Sequence, residues 1–99
     1  MTLPISEPIP ETAKPKLARK VRLRFDRHSN AHWLLYPERG MQLSASAASI
    51  AALCTGAKTL QQIVDELHAG APGSSREQIA QDVRQFLGAL RDRSLLEPL

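Results

Sequence analysis

Few residues of this chain carry side chains suited to chemistry, and they are scattered. They are His28, His32 and His68, a single cysteine at 54, serines at 44, 46 and 49, and the adjacent acids Asp65 and Glu66. Catalysis requires converging groups with tuned pKa values. The histidines fall at a predicted turn, a strand start and a helix end, and the last is explained by the helix dipole. Cys54 lies on the apolar face of a predicted helix, where a thiol is a small inert core residue. One cysteine and dispersed histidines give no metal-ligand spacing. The serines have no local base. Asp65 and Glu66 diverge by about 100° around a helix and do not form a carboxylate pair. The five glycines form neither GxxxxGK[ST] nor GxGxxG. The chain is therefore expected to bind rather than catalyse, with no cofactor and no metal.

The totals agree with a binding role. Ninety-nine residues make one domain at most. A domain of that size buries only about 60–65% of its unfolded surface, which leaves little room for an enclosed active site. The net charge of +3 is uneven. Residues 1–43 hold eight Lys/Arg against four Asp/Glu, a balance of +4, and residues 44–99 hold five against six, a balance of −1. No signal-peptide pattern and no membrane-spanning run of apolar residues is visible, so a cytoplasmic location is expected.

The elements follow from periodicity and punctuation. MTLPISEPIPETAKPK has four prolines and no period. Residues 1–15 are therefore expected to be a disordered or extended arm, and residues 16–97 a single domain. Residues 17–26 alternate, with Val21, Leu23 and Phe25 on one face and Lys20, Arg22 and Arg24 on the other. HSNA turns the chain into a second strand, His32–Tyr36. PERG turns it again, with Gly40 assigned to a positive φ, and Met41–Leu43 is a short third strand. Ser44 caps a helix carrying Ala47, Ile50, Ala51 and Cys54, which Gly56 terminates. Capping boxes at Thr59–Gln62 and Ser75–Gln78 begin two more helices. Leu60, Ile63, Val64 and Leu67 form the stripe of the second, and Ile79, Val83, Phe86, Leu87 and Leu90 that of the third. Three short strands need the helices to cover their apolar face. The expected fold is α+β: a three-stranded antiparallel sheet followed by three helices, βββααα and winged-helix-like.

A winged-helix-like fold with a basic first strand raises nucleic-acid binding as the alternative function. The helices argue against it. LQQIVDELHAG has no Lys or Arg and two acids, and the third helix offsets Arg76, Arg84, Arg91 and Arg93 with Glu77, Asp82 and Asp92. Peptide binding fits the pattern better. The third strand has a free edge if it lies beside the third helix, and an extended peptide could pair with it. Five backbone hydrogen bonds at about 1 kcal/mol each fall short of the 8 kcal/mol or so of micromolar binding. Apolar peptide side chains must therefore enter a groove as well. The third helix offers a wall, with Ala80 and Leu87 at its floor and Arg84 and Arg91 at its lip.

HWLLYPERGMQLSASAASIAALCTGAKTLQQIVDEL, followed by DVRQFLGALRDRSLLE, resembles the PqqD family of pyrroloquinoline quinone (PQQ) biosynthesis over about residues 15–97. The most specific parts are LLYPE at 34–38, the Leu43-Ser44 start of an Ala-rich helix, and CTGAKTLQQIV at 54–64. The last is similar to the family's C-D-G-x-x-T-x-x-E-I pattern, with Thr55 and Gln62 replacing its usual Asp and Glu. Ser94-Leu95 stands where the family has Gly-Trp. The resemblance implies a peptide chaperone, used as a recognition element for ribosomally made, modified peptides. Such proteins bind the PQQ precursor peptide and present it to a radical-SAM PQQ synthase, which joins a Glu and a Tyr of that peptide. In related elements the leader adds a strand beside strand 3 and lies against helix 3. Carried over, the contact surface is Gly40, Met41, Gln42 and Leu43, with Ala80, Val83, Arg84, Leu87 and Arg91. Arg22 and Arg24 are candidates for docking the partner enzyme. No membrane partner is expected. A monomer is expected in dilute solution, with the arm or the strand edge as the route to a dimer.

Overall fold

A computed structural model describes residues 9–98. Its elements are β1 (Arg22–Asp26), β2 (Ala31–Tyr36), β3 (Arg39–Leu43), α1 (Ala45–Ala52), α2 (Leu60–Ala69) and α3 (Arg76–Asp92). The order is the βββααα expected from the sequence. The strands form an antiparallel meander, β1-β2-β3, with β2 in the middle and β1 and β3 as its edges. Leu34 on β2 faces Leu23 on one side and Met41 on the other. Leu34 has no exposed surface, so this row marks the buried face of the sheet.

Local chemistry explains the turns. Asp26 ends β1 and accepts hydrogen bonds from the His28 N–H (3.0 Å) and the Ser29 hydroxyl (2.7 Å). These bonds, the Ser29 hydroxyl foremost, hold its carboxyl below the usual carboxylate range. Asn30 then takes φ 53°, a left-handed geometry that Asn tolerates. The two-residue turn Pro37–Glu38 joins β2 to β3, and the positive φ expected at Gly40 belongs instead to Glu38, at 64°. Gly40 is a strand residue paired with Leu35. A Cβ there would lie 3.1 Å from Leu35 Cδ2, a tight approach, and 3.6 Å from Trp33 Cε3, an ordinary contact, so the glycine makes room chiefly for Leu35.

The helix starts follow their caps. Ser44 Oγ accepts from the Ala47 N–H, and Thr59 and Gln62 complete a reciprocal capping box. The box expected at Ser75 is half formed. Ser75 Oγ accepts from the Gln78 N–H, but the Gln78 amide reaches Asp82 instead (3.0 Å). Gly56 has the expected positive φ of 84° but lies beyond the end of α1, whose cap is Leu53. α1 packs against all three strands, and α3 packs chiefly against α2. Leu60, Ile63, Val83, Leu87 and Leu90 form the centre of the core, each with at most 1% of its surface exposed.

Part of the proline-rich arm lies against this core, and residues 1–8 of it fall outside the described residues. Ile9 and Pro15 are buried. The carbonyls of Glu11 and Ala13 accept from Gln61 and Leu60 (3.1 and 2.8 Å), the first N–H groups of α2, which have no partner within the helix. Further along, Pro15 C=O accepts from Gly56, Leu17 N–H donates to Cys54, and Ala18 N–H donates to Leu95. Leu17 also bridges to Leu96 in antiparallel fashion. Residues 9–18 thus form a strap across the helical layer. Burial of Ile9 predicts that Ile9→Ala costs about 2–3 kcal/mol, because a buried methyl cluster is lost and its cavity collapses only in part. Urea unfolding should show a lower midpoint with an unchanged slope.

Candidate functional site

Several of the side chains first considered for chemistry have structural partners. His32 is half-buried, its ring 4.8 Å from that of Phe25 and tilted by 52°. His28 is exposed in the β1–β2 turn, and His68 lies in the last turn of α2. Cys54 is 3% exposed, its thiol donating to Ile50 C=O (3.3 Å), and burial pushes its pKa up to about 12. Asp65 pairs with Arg76 (2.8 Å) and Glu66 with Lys58 (2.6 Å). Among the described residues, no group of three or more His, Cys, Asp or Glu is placed to hold a metal.

Two other features offer binding surface. The first is the outer edge of β3. Antiparallel hydrogen bonds alternate along a strand, and the two-residue turn makes Tyr36 and Arg39 the bonded closing pair. Arg39, Met41 and Leu43 therefore bond inward to β2, while Gly40 and Gln42 turn N–H and C=O away from it. Both are exposed, whereas Met41 is half-buried and Leu43 belongs to the core. The second feature is an open cleft of about 380 Å³ between α1, the end of α2 and the first half of α3. Ile50, Leu67, Ile79 and Val83 give it apolar walls, and Ser46, Ser49, Glu66 and Asp82 are its polar lining. Ser49 Oγ donates back to Ala45 C=O (3.1 Å). α1 follows β3 after the single residue Ser44, so the edge and the cleft are neighbours along the chain.

The α3 residues selected from the sequence are divided by the fold. Val83 contributes to the cleft wall but, like Leu87, has no exposed surface. Ala80 is also buried. These three build the wall from behind. Arg84 is exposed and pairs with Glu11 of the strap (3.2 Å), and Arg91 lies 3.9 Å from Asp92. At about 100° per residue, Ala80 and Arg84 fall on one flank of the apolar stripe and Asp82 and Phe86 on the other. The strap takes the first flank, and the cleft opens on the second. Helical periodicity identified the stripe but could not tell which flank was covered. The deciding contact joins residues 73 positions apart.

Fold and surface together give a small winged-helix-like domain, as the family resemblance implies, with a sheet edge open among the described residues and a cleft beside its third helix. The match is confirmed by relatives. The family model described as coenzyme PQQ synthesis protein D (PqqD) matches residues 31–96, and this chain belongs to that family. The chain is 37% identical to the PqqA binding protein of Azotobacter vinelandii over 83 residues, 84% of this chain and 88% of that one. It is also 37% identical, over 84 residues, to the bifunctional coenzyme PQQ synthesis protein C/D of Methylorubrum extorquens, covering 84% of this chain and 22% of that protein. The solution structure of the PqqD truncation of Methylobacterium extorquens PqqCD, a stand-alone recognition element, superposes with a TM-score of 0.77 at 33% identity, covering 91% of this chain and 95% of that one. TbiB1 in complex with the TbiA(β) leader peptide superposes at 0.71 and 27% identity, covering 85% and 96%.

Two outcomes follow from the burial pattern. Leu87→Asp places a carboxylate in the core and should abolish the cooperative thermal transition, because an unpaired buried charge costs several kcal/mol. The second concerns Cys54. The fold favours the neutral thiol, so this stabilisation is complete below pH about 9, the ordinary thiol value, and is lost as pH rises toward 12. Stability should therefore fall more steeply above pH 9 in the unaltered chain than in Cys54→Ala, by about 1.4 kcal/mol per pH unit at most. Denaturation series at pH 8, 9 and 10 give the comparison.

Proposed function

We propose that this protein is a non-catalytic, cytoplasmic chaperone of PQQ biosynthesis. It binds the ribosomally made precursor peptide by strand addition and presents it to a radical-SAM enzyme for Glu–Tyr cross-linking. The open edge of β3 at Gly40 and Gln42 carries the proposal, in a family whose relatives include PqqA binding proteins. The TbiB1 complex adds a leader peptide bound by a domain of the same fold. The protein acts as a monomer, with the peptide occupying the edge that a second copy would otherwise pair with.

The energetics require both features of the site. Gly40 and Gln42 offer about four backbone hydrogen bonds, each worth about 1 kcal/mol net. Micromolar affinity needs about 8 kcal/mol after the peptide's ordering cost has been met. Alternate side chains of an added strand project to the same face, so two or three apolar residues of the peptide can enter the cleft between α1 and α3. Burial at about 25 cal/mol per Å² then supplies the remainder. Met41 and Leu43 fix the strand, and Gly40 and Gln42 pair with the peptide. Ile79, Val83 and Asp82 form the wall, with Ala80 and Leu87 behind it. Arg84, paired with Glu11, and Arg91 lie on the flank that the strap takes, away from the cleft.

Calorimetry with the precursor peptide tests the proposal, and absence of binding at hundred-micromolar concentration overturns it. Gln42→Pro tests strand addition itself. Proline removes an N–H that faces away from β2, a position edge strands tolerate. The variant should stay folded and lose at least about tenfold in peptide affinity. Normal affinity in a folded Gln42→Pro variant would place the peptide elsewhere.

A further inference from the structure

Among the described residues, no helix packs on the outer face of the sheet, and this face carries a composition of its own. The pairing register brings together Arg22 and Arg24 of β1, Trp33 and Leu35 of β2, and Gly40 and Gln42 of β3 on this side. Leu35 is 41% exposed, although it is a large apolar residue at the centre of the sheet. Trp33 is half-buried, and its ring borders the space left by the missing side chain of Gly40. Arg22 stands opposite Leu35 and Arg24 opposite Trp33, so an apolar centre is flanked by two guanidinium groups.

The charge on this face is unbalanced in a way the helical surface is not. Lys58, Arg76 and Arg84 each reach a carboxylate. Arg22 and Arg24 reach none among the described residues; Arg24 only donates to the neighbouring Leu23 carbonyl (3.4 Å). The one acid in the three strands is Asp26, and its carboxyl is already engaged by the Ser29 hydroxyl and the His28 N–H. A face with exposed apolar bulk and two free arginines is complementary to an apolar patch ringed by Asp and Glu. The same face ends at Gly40 and Gln42, where the peptide strand is added. An added strand would project every second side chain onto it.

We infer that this outer face is the docking surface for an acidic face of the radical-SAM enzyme. The inference rests on the peptide-presenting function proposed above and adds to it the surface on which presentation occurs. The enzyme would meet the chaperone and the outward side chains of the bound peptide on one continuous surface. Trp33 and Leu35 supply the apolar anchor, and Arg22 and Arg24 set orientation and association rate.

The experiment measures binding of the radical-SAM enzyme and of the precursor peptide, separately, to the full chain and its variants. Arg22→Glu combined with Arg24→Glu should weaken enzyme binding at least about tenfold and flatten its salt dependence, with peptide affinity within about twofold of normal. Leu35→Gln, at an exposed position, should weaken enzyme binding in the same direction. Arg93→Glu, a charge reversal elsewhere, should change neither. Enzyme binding unaltered in both the double variant and Leu35→Gln overturns the assignment while leaving the peptide-binding function intact. Failure of the unaltered chain to bind peptide overturns that function instead, and failure to bind the enzyme overturns its presentation step together with this surface. Salt-sensitive retention of random duplex DNA that the double variant loses would reassign the face to nucleic acid.

Discussion

Two backbone hydrogen bonds at the start of α2 organise much of this molecule. A helix leaves its first N–H groups without internal partners, and burying that end requires acceptors from elsewhere. Here the strap supplies them, with Ala13 C=O to Leu60 and Glu11 C=O to Gln61, while Thr59 Oγ1 takes the third from Gln62. Once anchored, the same segment brings Ile9 and Pro15 into the core and holds the 54–56 loop and the C-terminal residues 95–97 together. It also occupies one flank of α3 through Glu11 and Arg84. The open flank, with its cleft, is therefore defined by where the strap is not.

The sheet imposes a complementary constraint. Three strands with a single helical layer have one buried face, one solvated face and two edges. A larger protein would cover such edges or add strands. This one leaves β3 with two outward backbone positions and a glycine at one of them. The binding capacity of so small a domain comes from surfaces its own packing does not use up. No enclosed chamber is needed, and the described helices include none long and apolar enough to cross a membrane.

Much of the fold was legible in the sequence because period and capping are local. The alternation at Val21 and Leu23, the stripes of α2 and α3, and the caps at Ser44, Thr59 and Ser75 are each set within one or two turns of chain, whereas Phe25, expected on the same covered face, is 50% exposed near the end of β1. Where the reading failed, the cause was a partner that spacing alone does not name. Gly40 was assigned to a turn because glycine favours positive φ, yet Glu38 bears that geometry and Gly40 answers to Leu35 and Trp33 on the next strand. Gln78 has the right spacing for a capping box but finds a better partner in Asp82. The strap was hidden by its prolines, which deny helix but not packing. The site was partly legible for the same reason. The edge strand follows from the meander, while the open flank of α3 depends on a contact between opposite ends of the sequence.

The strap also sets the order in which the molecule can assemble. The meander and the α2–α3 pair join residues close in sequence and can form early. The contacts of Leu17 with Leu96 and of Ala18 with Leu95 span nearly the whole chain, and closing so long a loop is slow. During synthesis, the strap must wait for residues 95–97 to leave the ribosome before its last bonds can form. Until then part of the core is uncovered, and a segment made before the sheet and helices is among the last to be locked in place.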